Sequence, residues 1–163
     1  MVDTGIHSGR MVGQTRRYEM TQVTKARELA LKKHDGQVYG EHPYMYHLYQ
    51  VENIAIRTYG CGTDCIDELR ATCLLHDILE DTNTTTDELF SLGFSHQVIN
   101  AISLLTKDEF VGYDQYINNI RMDELALKVK LCDTAANLMN SINACSAKRI
   151  NKYSKQIQLL GGF

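Results

Sequence analysis

"LLHDILEDTNTT", residues 74–85, sets one histidine and three acids, His76, Asp77, Glu80 and Asp81, among leucines and an isoleucine, with Asp87 just beyond. Ile66, Leu69, Cys73, Leu74 and Ile78 fall on helical spacing, which predicts a core helix from about residue 66 to Glu80, with Asp64 as its N-cap. A helix with that many apolar positions cannot carry its carboxylates on a purely solvated face. In an unbroken helix His76 lies over Glu80 and Asp77 over Asp81, while His76 and Asp77 stand about 100° apart around the axis. The charge is therefore gathered on one side.

The flanking segments read as further helices. Val23, Ala26, Ala30 and Leu31 recur at helical spacing over Thr21–His34, and "HDGQVYGEHP" interrupts with glycines and the only proline, predicting a loop. Tyr44–Tyr59 is the next helix, with Leu48, Val51, Ile54 and Ala55 on its apolar side. Thr85 with Glu88 three positions on is a capping box that starts a short helix ended by Gly93, where Asp87 is a first-turn acid. Ser95 caps Val98–Leu105, and a helix is expected around Tyr116–Ile120. Asp123 caps "ELALKVKLCDTAANLMNSI", whose stripe is Leu125, Val129, Cys132, Ala136 and Met139. A last helix, about Ala147–Leu160, ends at Gly161 and Gly162. No strand is expected, and the fold class is all-α.

Composition bounds the rest. The chain has 163 residues, 44% of them hydrophobic, enough for one compact domain and too few for two of ordinary size. Residues 1–20 read as a small, polar lead-in without the continuous apolar core of a signal peptide, and residues 21–163 as the domain. A net charge of −3 and a pI near 6.0 give no footprint for nucleic acid, and no apolar run could span a bilayer, so a soluble protein is expected. Five cysteines, an odd set, include three in apolar helical patterns and suit a reducing cytoplasm. Cys61 and Cys65 lie close in a turn, but no second cysteine pair or suitable histidine completes a zinc site.

His76 and Asp77 can grip one divalent cation between them, but two ligands hold a metal weakly and the others must come from different helices. His47 in "PYMYHLYQV" and Asp133 in "VKLCDTAANL" are the candidates. A lone aspartate in the middle of an apolar stripe carries a desolvation penalty of several kcal/mol, unless it is paired or coordinated. Two histidines and two aspartates would leave positions open for a water and a phosphate oxygen. His34, His42, His7 and His96 read as surface residues, lysines such as Lys128 and Lys130 as solvated, and Tyr39, Tyr44 and Tyr46 as packing groups.

The ordered set His47, His76–Asp77 and Asp133 resembles the HD-domain metal-dependent phosphohydrolase superfamily. In more detail, "ALKKHDGQ", "PYMYHLYQV", "ATCLLHDILEDTNTT", "LLTK" and "VKLCDTAANL" resemble, in the same order, the hydrolase domain of RelA/SpoT proteins and its small stand-alone relatives, with an echo in "RINKYSKQI". The resemblance implies a compact helical HD-domain fold and a metal held by His47, His76, Asp77 and Asp133. Manganese is the leading ion, with magnesium, iron, cobalt and nickel as alternatives. It further implies that Glu80 and Asp81 orient or deprotonate the attacking water, and that Asn137 and Tyr153 contact nucleotide, with Lys33 and Lys107 as further substrate contacts. The implied activity is hydrolysis of the (p)ppGpp 3′-pyrophosphate. A nucleotidase or deoxynucleoside triphosphate hydrolase using the same centre is one alternative, and a non-catalytic nucleotide-binding module the other. The expected partner is a small-molecule nucleotide, with homo-oligomerisation left open. One departure bears on substrate: relatives that cleave (p)ppGpp carry an arginine or basic cluster just after "GQ", where this chain has Val38 and Tyr39.

Overall fold

The Thr21 hydroxyl accepts a hydrogen bond from the Thr24 backbone N–H and so starts α1, Gln22–Lys33. The computed structural model describes residues 20–60 and 66–162. Among them the chain continues through β1 (Val38–Tyr39), β2 (His42–Pro43), α2 (Met45–Tyr59), α3 (Ile66–Leu75), α4 (Ile78–Asp81), α5 (Thr86–Ser91), α6 (His96–Leu105), α7 (Tyr113–Arg121), α8 (Glu124–Asn143) and α9 (Ala147–Leu160). The expectations for residues 1–19, which include His7, and for Cys61, Cys65 and the Asp64 cap lie outside the described residues. No helix among the described residues is long and apolar enough to cross a membrane.

The all-α class holds, and the caps fall where the sequence puts them. Thr85, Ser95 and Asp123 each accept from a backbone N–H in the first turn of α5, α6 and α8, and Gly161 ends α9 in the left-handed region at φ 98°. Helix α7 begins at Tyr113, three residues earlier than expected. "HDGQVYGEHP" is not merely a loop. It folds into a two-stranded antiparallel ladder pairing Val38 with Pro43 and Tyr39 with His42, reversed through Gly40 at φ 63°.

Helix α3 is the axis of the molecule. Its Leu69 and Cys73 pack with Val51, Ile120, Leu125 and Val129 in one core cluster, while Ala71, Leu74 and Leu75 pack with Ala26, Leu48, Ile78 and Val98 in a second. A helix apolar on both sides is buried on both sides. Its C-terminal end therefore delivers the following residues into the interior rather than to solvent. Two expected core residues face outward instead. Leu31, one position past the Val23–Ala26–Ala30 face, is 49% exposed, and Met139 is 53% exposed because it lines an open groove between α2 and α8.

The expected continuous helix through Glu80 is broken. His76 and Asp77 form a turn between α3 and α4, and Asp77 caps the short α4 with its carbonyl accepting from Asp81 N–H at 2.8 Å. The His76 ring bonds the Cys73 carbonyl, the acceptor that an unbroken helix would use for the Asp77 N–H. The side chain takes over a rung of the ladder, and the backbone turns there.

Candidate metal centre

Three segments meet at the end of α3. His47 comes from the first turn of α2, His76 and Asp77 from the turn, and Asp133 from the middle of α8. Nε2 of His47 lies 3.3 Å from Asp133 Oδ1 and 3.9 Å from Asp77 Oδ2. Nε2 of His76 lies 2.9 Å from Asp77 Oδ2 and 3.8 Å from Asp133 Oδ1. His47, His76 and Asp77 each place one donor atom within 4.8 Å of the others, the arrangement that can share one cation. Asp133 stands beside this trio rather than within it.

Proton placement on His76 follows from its partner. Nδ1 is 2.8 Å from the Cys73 carbonyl, which can only accept, so Nδ1 carries a proton and Nε2 is the nitrogen that exchanges one. That Nε2 is buried and has no hydrogen-bond partner, since its approach to Asp77 has ion-pair distance without hydrogen-bond direction. An imidazole oriented through one nitrogen with the other facing carboxylates is the usual arrangement of a metal-binding histidine. His47 meets half of that pattern: its Nε2 faces the carboxylates, but its buried Nδ1 has no partner.

Electrostatics bind the cluster together. Burial opposes charge on the His76 ring, but the adjacent Asp77 carboxylate outweighs it and pushes the pKa up to about 9. Burial likewise opposes charge on Asp77, yet His76 holds its carboxyl down at about 2. Asp133 is driven well below the usual carboxylate range, against burial, chiefly by Lys130.

Lys130 is the main correction to the sequence reading. It is 8% exposed rather than solvated, its Nζ donating to Asp133 Oδ2 at 3.0 Å and lying 5.9 Å from the centre of the Tyr116 ring. Burial works against its charge, and Asp133 more than offsets this and raises its pKa. Asp133 thus has an internal counter-ion on one oxygen while the other faces the histidines. The same-face spacing of Lys130 and Asp133, three residues apart, was a readable signal.

The tyrosines also do more than pack. The Tyr39 ring stacks on His47 at 4.6 Å, and its hydroxyl donates to Asn137 Oδ1 at 2.9 Å. The Tyr44 hydroxyl reaches Asp77 Oδ2 at 2.6 Å and Asp81 Oδ2 at 2.8 Å. His34, expected at the surface, is 3% exposed and stacks on Tyr44. His42 and His96 are exposed as expected.

The remaining candidates divide by position. Glu80 sits at the rim, its carboxylate accepting from Lys107 Nζ at 3.2 Å and from the Lys107 backbone N–H at 3.4 Å. Asn137 donates through Nδ2 to the Asp133 carbonyl and carboxylate, which makes it a bridge between Asp133 and Tyr39. Tyr153 is half-buried, and its hydroxyl pKa is raised by burial and then by the charge of Asp133. Lys33 is drawn away: its Nζ pairs with Glu88 at 3.0 Å and donates to Asn83 at 3.4 Å. Of the cysteines, Cys73 and Cys132 are buried and Cys145 is exposed beyond the end of α8.

No protein-family model matches the sequence, and no curated protein matches it. The fold does have a solved counterpart. The structure of a metazoan ortholog of SpoT, described as hydrolyzing ppGpp and playing a role in starvation responses, is similar to this chain with a TM-score of 0.69 and 23% sequence identity. The match covers 88% of this chain and 85% of that one. The shared property is the helical fold.

Proposed function

We propose that this chain is a metal-dependent nucleotide phosphohydrolase of the HD type, with the 3′-pyrophosphate of (p)ppGpp as its leading substrate. The observation that carries the reading is the buried, unpartnered Nε2 of His76, held toward Asp77 and Asp133 by the bond from its other nitrogen to Cys73. The likeness in fold to a protein described as hydrolyzing ppGpp supports it.

His47, His76, Asp77 and Asp133 would hold the cation, with manganese the leading ion. When bound, such an ion lowers the pKa of a water and neutralises charge on phosphoryl oxygens. The chain's own groups do the remaining work. Asp81, which shares the Tyr44 hydroxyl with Asp77, and Glu80, which accepts from Lys107, would orient the water and accept its proton. Water oxygen adds to the phosphorus on the ribose 3′ oxygen, that P–O bond breaks, the 3′ oxygen takes up a proton, and pyrophosphate leaves. Asn137, which bonds Asp133, is a proposed nucleotide contact, as are Tyr153 and the Glu80 partner Lys107, whereas Lys33 must give up Glu88 before it can contribute.

One observation favours a second reading, a nucleotidase or deoxynucleoside triphosphate hydrolase. Tyr39 covers His47, and its hydroxyl bonds the neutral amides of Asn137 and Asn140, with the charge of Arg149 acting on it but no arginine or basic cluster in its own loop. The test is turnover of a nucleotide panel including ppGpp by the purified, manganese-loaded protein, measuring phosphate and pyrophosphate. Pyrophosphate from ppGpp is expected, with Asp77→Ala at least about 100-fold slower. Phosphate from monophosphates alone would support the second reading. Metal binding with no turnover of any nucleotide would overturn both and leave a binding module.

A further inference from the structure

The Tyr44 hydroxyl has a single proton and two carboxylate oxygens within reach, Asp77 Oδ2 at 2.6 Å and Asp81 Oδ2 at 2.8 Å. One of these belongs to the trio that can share a cation, and the other to the residue proposed to orient water. Two carboxylates on one short turn repel each other, and a shared phenolic proton offsets that repulsion and sets their separation. Burial and the charge of Asp77 both raise the Tyr44 pKa, so the phenol keeps its proton.

The hydroxyl is also held in place from behind. The Tyr44 backbone N–H donates to the Gln37 carbonyl at 3.0 Å, and the Tyr44 carbonyl accepts from His47 N–H at 3.0 Å, in the first turn of α2. Its ring stacks on His34 with centroids 4.6 Å apart and planes 12° from parallel. His34 Nδ1 is 2.7 Å from Gln37 Oε1, and Gln37 Nε2 donates to the Asp81 backbone carbonyl at 2.8 Å. Ring, hairpin and the α4 turn thus form a closed circuit in which the phenol touches Asp81 through its carboxylate and Gln37 touches it through its backbone.

We propose that Tyr44 is a positioning residue that clamps the Asp77 and Asp81 carboxylates at a fixed separation, so that the ligand that grips the cation and the group that orients water stay in register. The kinetic half of this inference rests on the hydrolytic reading above; the geometric half does not. Outer groups that orient ligating carboxylates commonly govern metal affinity or activity by about 10- to 100-fold.

Tyr44→Phe removes one oxygen and retains the stack on His34. Calorimetric titration with manganese alone is expected to show at least about 10-fold weaker binding than wild type. On whichever nucleotide the wild type turns over, kcat is expected to fall about 10-fold or more while KM changes less than about twofold. If Tyr44 acts through Asp81, the double variant Tyr44→Phe/Asp81→Asn is no slower than Asp81→Asn alone. Manganese affinity within about twofold of wild type would overturn the clamp, as would a double variant slowed by the same factor as the single one. If the wild type turns over nothing, the hydrolytic reading fails, and the manganese titration still decides the role of Tyr44.

Discussion

His76 holds a proton that a cation bound at the proposed centre would have to displace. In the metal-free protein the Asp77 carboxylate outweighs burial and brings the ring to about 9, so it is charged at neutral pH. Manganese affinity should therefore climb as pH rises from 6.5 to 8.5, by up to about tenfold per unit for one released proton. Calorimetry in buffers of different ionisation heat measures both the affinity and the proton count; a flat pH dependence would contradict the pairing. Stability of the metal-free protein follows the same groups. A ring whose folded pKa is raised from 6.5 to about 9 stabilises fully below 6.5 and loses that contribution through about 9. Asp77, lowered from 3.8 to about 2, stabilises above 3.8 and loses its contribution as pH falls through about 2. The plateau between lies at mildly acid pH. His76, Asp77 and Asp133 were legible as candidates because their charge fell where apolar spacing predicted buried helix. Lys130 was missed although its three-residue spacing from Asp133 puts the two on one helix face, because helical lysines are usually solvated and only the packed interior shows this one to be buried.

Among the elements, α8 shows how a helix is fixed at one end and used at its middle. Asp123 caps it by accepting from Ala126 N–H at 2.8 Å, and also accepts from Asn100 on α6 at 3.0 Å. Asp123→Ala should cost about 1 kcal/mol in urea unfolding. Manganese affinity should stay unchanged, because Asp133 lies nearly three turns further on and has its own partners in Lys130 and Asn137. A matching loss of metal affinity would mean that the cap, not the core, sets the register of α8. Capping residues and apolar spacing made these helices readable, since both are local. The break between α3 and α4 was not, because the His76 ring competes for the Cys73 carbonyl only once the interior around it exists.

At the scale of the whole molecule, Glu52 ties three helices together. It is 5% exposed on α2 and accepts from Arg27 of α1 at 3.1 Å and from Arg70 of α3 at 2.9 Å. Glu52→Ala leaves two arginines facing one another without their shared anion, and a loss of about 3 kcal/mol is expected in chemical denaturation. Since α3 carries the turn that presents His76 and Asp77, the same variant should also weaken manganese binding. Unchanged stability would show that the arginines are solvated well enough to need no partner.

The sequence by itself determined the helical class, most of the caps and the central helix as far as Leu75, because hydrophobic period and capping chemistry act over a few residues, and it singled out His47, His76, Asp77 and Asp133 as the candidate set. Tertiary structure decided what surrounds that set. Tyr39 over His47 and Tyr44 between Asp77 and Asp81 join residues from the hairpin, the start of α2 and the turn into α4. Hydrogen bonds and ion pairs between distant segments depend on the packing angle of helices. No local spacing encodes that angle; the two core clusters on either side of α3 set it.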